Sequence, residues 1–297
     1  MGAEHESGAP VDMAAARELT TVFGVDFSGA KLAVRTTWVA RTTVRKSGDG
    51  PPLELHALDS LARLSGAEER GAALAFLVRA IGDSHDALWA IGAPFGLPVE
   101  VLDDGATWPA LLRWVSGWDA DAGYALGLWA LGRARSLGGP GHIYRATDRA
   151  ARTPFDAYHY RVIYQTFHSM RDVLAPAARV RETAILPFHH RRLSRARRVV
   201  VETCQASTLK RLGLPHQNYK QPEGGALTAR RRLTRRTILA GLAPYVVIPA
   251  SPPGSRIIRR RSDAVIAAVG AHTAFAATDH AAVARNERFK REGYQYF

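Results

Sequence analysis

Apolar and polar positions alternate from Thr21 to Phe27, break at Ser28-Gly29, and alternate again from Lys31 to Thr43. A period of two interrupted by a Ser-Gly pair predicts two antiparallel strands joined by a turn. Ser47 to Pro52 is loop by composition, and Leu53 to Leu58 alternates as a third strand. Ala67 to Ile81 changes period, with Leu74, Leu77, Val78 and Ile81 at helical spacing. Ala87 to Ile91 and Arg198 to Thr203 contain unbroken apolar runs, the pattern of strands covered on both faces. Between them, from Val99 to about Pro176, the texture is helical and holds Trp108, Trp114, Trp118 and Trp129. This stretch is expected to be a helical insertion, about residues 99–180, whose aromatics fill a small core of their own. Ala206 to Leu212 and Leu227 to Leu242 read as helices. Ser255 is a suitable N-cap for a last helix reaching about Phe275.

The order strand, strand, strand, helix, strand, followed by further helices and strands, predicts an α/β fold with a mixed sheet. Residues 1–20 lack a compact apolar run and are expected to form a disordered tail, leaving 21–297 as one domain. With 46% hydrophobic and 23% charged residues, the composition is that of a globular protein. The lone Cys204 excludes a disulfide framework or a cysteine zinc cage. It fits a reducing compartment, so a cytoplasmic location is expected. No apolar run is long enough for a membrane span, and no membrane partner is expected.

Charge changes this picture. The formal net charge is +13, and arginines gather at 191–198, 230–236 and 256–261. Such a surface draws polyanions through its long-range field, which points to DNA or RNA as a partner.

Candidate chemistry rests on three acids. Asp26 lies near the end of the first strand, and Glu202 ends the Val199-Val200-Val201 run. Ligands of open α/β sheets bind off such strand ends. Asp263 heads the last helix, whose face Asp263, Ile266, Ala267, Gly270 and Ala274 is small enough to sit close to the sheet. The expectation is that Asp26, Glu202 and Asp263 converge on one site. Crowded carboxylates need a cation to offset their repulsion, and hard divalent ions prefer oxygen ligands. Paired ions a few Å apart clamp the attacking and leaving oxygens of a phosphodiester.

The stretches GVDFSGAK (Gly24–Lys31), APFGLP (Ala93–Pro98), RTPFDAYHYRVIYQTF (Arg152–Phe167), VETCQASTLKRLGLP (Val201–Pro215), Tyr219-Lys220, SDAVIAAVGA (Ser262–Ala271) and EGYQYF (Glu292–Phe297) span nearly the whole chain from Thr21. In their order the chain resembles domain-of-unknown-function family 429, regarded as RNase H-like nucleases. The resemblance implies an RNase H-like mixed sheet and a metal-dependent nuclease, with Asp26, Glu202 and Asp263 holding Mg2+ or Mn2+. Ser28, Arg161, Gln165, Lys210 and Lys220 are the motif positions expected to hold a phosphate-bearing substrate. Two departures weaken the site. Gly92 stands where the family strand usually ends in aspartate, and Arg260 stands three residues before Asp263 where the family usually has an acid. Arg260 shares a helix face with Asp263 and is expected to compensate the acids, reducing metal binding to one ion or none.

Two other readings stay open. One is a non-catalytic nucleic-acid-binding protein on the same fold. The other is an actin-like ATP-binding enzyme, suggested by Asp26-Phe27-Ser28-Gly29 and Lys31. That class generally needs two similar domains, and one copy is found. Dinucleotide-binding and P-loop glycine patterns are absent.

Overall fold

The computed structural model describes residues 18–46, 50–220, 226–249 and 261–297. Its centre is a seven-stranded sheet in the order β5-β6-β4-β1-β2-β3-β7. The strands are β1 (Thr21–Asp26), β2 (Trp38–Val44), β3 (Leu53–Ser60), β4 (Ala87–Ile91), β5 (Thr183–Ile185), β6 (Arg198–Glu202) and β7 (Val246–Val247). β1, β2 and β3 pair antiparallel, and β4, β5, β6 and β7 join in parallel. The expected mixed α/β sheet is therefore present.

Sequence and structure part in places. The predicted second strand, Lys31 to Thr43, starts late. Ala33–Thr36 forms one helical turn before β2 begins at Trp38. Local hydroxyls hold that turn. The Thr36 hydroxyl donates to the Leu32 carbonyl (3.0 Å) and shares a hydrogen bond with the Ser28 hydroxyl (2.9 Å), and Thr37 Oγ1 accepts from the Ser28 amide. Thus β1 and β2 are connected by a compact loop rather than a tight hairpin. Strands β5 and β7, three and two residues long, were too short for periodicity to reveal. The predicted N-cap Ser255 lies outside the described residues, and the last long helix begins at Asp263.

Two cores sandwich the sheet. One face buries Val25, Trp89, Ile91 and Val200 against the helix Arg70–Asp83 and the helical insertion. The other buries Val22, Leu88, Ala90, Val199 and Val201 against the helix Asp263–Ala277. The insertion does not keep a private core. Trp108 is buried, stacks on Phe188 at 3.8 Å and donates from Nε1 to the Phe95 carbonyl. Trp114, Trp118 and Trp129 do form a cluster of their own, with ring centroids 5.2 and 4.6 Å apart.

The Asp263–Ala277 helix lies unusually close to β1. A Cβ at Gly24 would stand 1.9 Å from the Ala264 carbonyl oxygen and 2.6 Å from the Ala268 nitrogen. The close approach depends on a glycine in the strand, with Ala264 and Ala268 facing it. Gly270, expected to pack on the sheet, instead makes room for the Thr208 side chain of the helix Gln205–Arg211. Because helix backbone cannot yield as a flexible side chain can, Gly24→Ala is expected to cost about 2–3 kcal/mol of folding stability. Chemical denaturation of the variant measures this. A loss no larger than that of Ala57→Gly, a control on β3, would contradict the backbone clash.

Candidate functional site

In a parallel pair, residues in register share a face of the sheet, and successive residues alternate. Val25, Ile91 and Glu202 are in register across β1, β4 and β6. They share the face that buries Val25 and Ile91. Asp26 follows Val25 and so takes the opposite face, with Gly24 and the Asp263–Ala277 helix. The three acids therefore fall into two systems. Asp26 and Asp263 come together, and Glu202 does not join them.

Glu202 is buried and fully engaged. It receives Arg145 Nη2 at 2.5 Å and Arg145 Nη1 at 2.9 Å, and its Oε2 accepts the Phe95 amide at 2.8 Å. Arg145 also binds Asp148 through Nε and Nη2 (3.0 and 2.7 Å) and the Glu292 carbonyl (2.8 Å). Burial alone opposes the Arg145 charge, but Asp148 and Glu202 outweigh it and hold the guanidinium firmly protonated. The C-terminal segment completes the cluster. Gln295 donates to Asp148, Tyr296 donates its amide to the Glu202 carbonyl, and Glu292 accepts the Ala146 and Val99 amides. Glu202 is thus a member of a buried structural network. Sequence reasoning missed Arg145 and Asp148, whose one local signal is an Arg and an Asp three residues apart at the start of a helix.

On the other face, Asp26 ends β1 beside Trp38, its register partner on β2. The Asp263–Ala277 helix reaches this end because Gly24 admits it. Desolvation at the strand end, followed by the charge of Asp263, pushes the Asp26 carboxyl up to about 7, with Lys220 and Arg261 pulling the other way. Lys220 Nζ lies 2.9 Å from Asp263 Oδ2, while Asp263 Oδ1 is buried with no hydrogen-bond partner among the described residues. The Lys220 side chain is half-exposed, so desolvation of its tip opposes the charge only in part, and Asp263, Tyr219 and Asp26 hold the ammonium well above its usual range. Arg261 lies over the Trp38 ring at 5.2 Å, which sets its guanidinium near Asp26. Arg235, counted in sequence as part of a basic surface run, is buried and donates from Nε to the Tyr219 carbonyl at 2.5 Å, holding the segment that carries Lys220.

The other predicted residues are dispersed. Arg260 lies outside the described residues; among those described, Lys220 and Arg261 are the cations beside Asp26 and Asp263. Ser28 Oγ shares a hydrogen bond with the Thr36 hydroxyl in the loop after β1. Gln165 donates to the Phe27 carbonyl at 2.8 Å and so braces that loop. Lys210 Nζ is tied to the Arg152 carbonyl at 2.5 Å. Arg161 is exposed and turned toward Tyr160. A Cβ at Gly92 would meet Gln205 Nε2 at 2.3 Å and the Val25 carbonyl at 3.0 Å. The Gln205 side chain therefore occupies the space into which an acid at Gly92 would project.

Among the described residues no group of three or more His, Cys, Asp or Glu side chains is arranged to hold a metal ion. Asp26 and Asp263 are the two carboxylates that meet at this strand end, and Asp263 Oδ1 has no hydrogen-bond partner among the described residues. No helix among the described residues is long and apolar enough to cross a membrane. No protein-family model, curated protein or solved structure matches the chain.

Two outcomes follow from these geometries. Breaking a buried pair by removing one partner's charge is costly. Glu202→Gln is accordingly expected to lower stability by about 3–5 kcal/mol in denaturant titration, and a loss under ~1 kcal/mol would contradict the network. Asp26 behaves oppositely. Its folded value near 7 lies above the unfolded value near 3.8, so the folded protein retains a proton that the unfolded chain has released. Stability therefore falls as pH rises through that window. Asp26→Asn is expected to gain about 2 kcal/mol at about pH 8 and little at about pH 4. Equal effects at both pH values would show that Asp26 ionises normally.

Proposed function

We propose that this protein is an RNase H-like nuclease acting on phosphodiester bonds of nucleic acid, with an acidic site reduced to Asp26 and Asp263. The observation that carries the reading is the meeting of these two carboxylates, distant in sequence, at the C-terminal end of the central strand. The strand series β3-β2-β1-β4-β6, antiparallel and then parallel, supports an RNase H-like arrangement. The net charge of +13 supports a polyanionic substrate.

Asp26 and Asp263 are the residues that would hold a divalent ion. Such an ion, when bound, polarises a phosphoryl oxygen and lowers the pKa of a coordinated water. The chain's own groups contribute the rest. Without an ion, burial and the charge of Asp263 raise the Asp26 carboxyl, so that it can hold a proton at its carboxylate oxygen that an ion would displace. Lys220 and Arg261 offset negative charge at the site and can receive phosphate oxygens. The Lys220–Asp263 ion pair and the capture of Glu202 by Arg145 favour a second reading, a nucleic-acid-binding protein that has lost cleavage.

A cleavage screen on single-stranded and duplex DNA and RNA, with Mn2+, Mg2+ or EDTA, separates the two. Nuclease action predicts metal-dependent cleavage that Asp26→Asn and Asp263→Asn each reduce at least 100-fold, about the loss of one key electrostatic group. Glu202→Gln should retain the wild-type metal dependence in whatever fraction folds. Salt-sensitive binding without cleavage in any metal would establish the second reading instead. Gly92→Asp adds an acid on the Asp26 face if Gln205 moves aside. It is expected to strengthen Mn2+ binding in calorimetric titration, and unchanged affinity would show that Gln205 holds its place.

A further inference from the structure

The segment 155–161 carries an ordered set of side chains that no role described above uses. The Phe155 and His159 rings are stacked, with centroids 4.4 Å apart and planes 22° apart. His159 and Tyr160 follow at 4.4 Å and 35°. The Arg161 guanidinium carbon lies 5.5 Å from both the Phe155 and Tyr160 rings, and its Nε donates to the Tyr160 hydroxyl at 3.0 Å. Tyr160 is 65% exposed. Aromatic rings are normally spent on core packing, yet Phe155 and His159 are only partly buried and Tyr160 is exposed, so these rings build a ladder at the surface. Asp156, the nearest acid in sequence, is engaged by His142 (2.9 Å) and by the Tyr158 amide (3.1 Å), and among the described residues no carboxylate pairs with the Arg161 guanidinium. Desolvation lowers the His159 pKa, so its ring is neutral near physiological pH.

The ladder adjoins the Asp26 strand end. The helix Ile163–His168 begins two residues after Arg161, and its Gln165 is bonded to the Phe27 carbonyl. The Tyr164 carbonyl lies against Gly29, where a Cβ would stand only 1.9 Å from that oxygen. A flat apolar ring beside a guanidinium matches a nucleobase joined to its phosphate.

We infer that Phe155, His159, Tyr160 and Arg161 form a stacking platform for an unpaired base of a single-stranded polynucleotide, with Tyr160 taking the base and Arg161 the adjoining phosphate. This rests on the polynucleotide part of the proposed function and not on its hydrolytic part. The platform selects single strands, because duplex bases present no free face to Tyr160.

Fluorescence anisotropy in EDTA tests it, using a labelled single strand, the same strand with abasic sugars at its central positions, and a duplex. The wild-type protein is expected to bind the intact strand about ten-fold tighter than the abasic one, the order of one base stacked on an aromatic ring. Tyr160→Ala should abolish that difference, and Tyr160→Phe, which keeps the ring, should restore it. Tyr160 is exposed, so neither change threatens folding. Equal affinity of wild type for intact and abasic strands, or an unchanged preference in Tyr160→Ala, overturns the platform while leaving backbone-directed binding in place. Absence of any oligonucleotide binding overturns both. Base-dependent binding without cleavage in any metal supports the platform and removes only the hydrolytic reading.

Discussion

The alternation of side chains along a β-strand governs this molecule. Val25, Ile91 and Glu202 are locked in register across three parallel-paired strands, so a one-residue difference decides which side of the sheet a carboxylate enters. Glu202 enters the side shared with the helical insertion and is neutralised there by a buried arginine. Asp26 enters the side covered by the Asp263–Ala277 helix and is left beside another acid. Each side solves its own electrostatic problem with its own cation, Arg145 on one and Lys220 on the other.

The two solutions differ in kind. Around Glu202, nearly every oxygen has a donor and solvent is excluded, so the cluster is built to stay as it is. Around Asp26 and Asp263 the balance is incomplete. One carboxylate oxygen lacks a partner among the described residues, burial and Asp263 raise the Asp26 carboxyl to about 7, and the Lys220 side chain is half-exposed. Incomplete compensation at a strand end is what a site for a further charged species requires, whereas complete compensation serves the fold.

Much of the architecture was legible in the sequence for a physical reason. Ala87–Ile91 and the Val199–Val201 centre of the sixth strand lie between two cores and so consist wholly of apolar residues. Ile238 and Leu242 are buried as their spacing required. The meeting of Asp26 with Asp263 was also foreseeable, but through the wrong residue. Small positions on the helix suggested it, while the strand glycine Gly24 provides the room. Glu202 was misplaced because inter-strand register is a three-dimensional property: no local pattern states that Glu202 aligns with Ile91 rather than with Gly92. Arg145 left almost no trace, since its partners lie 57 and 147 residues away.

The Arg145 cluster also constrains the order of events during folding. Its members come from near residues 95, 145, 202 and 292–296, so no contiguous stretch of chain can assemble it. Until the segment 292–296 arrives, Arg145 lacks one of its acceptors, the Glu292 carbonyl, and the Ala146 and Val99 amides lack the Glu292 carboxylate. Closing such long loops is entropically slow to reward. The end of β6 at Glu202 is thus closed off from water only when residues 295 and 296 pair against it.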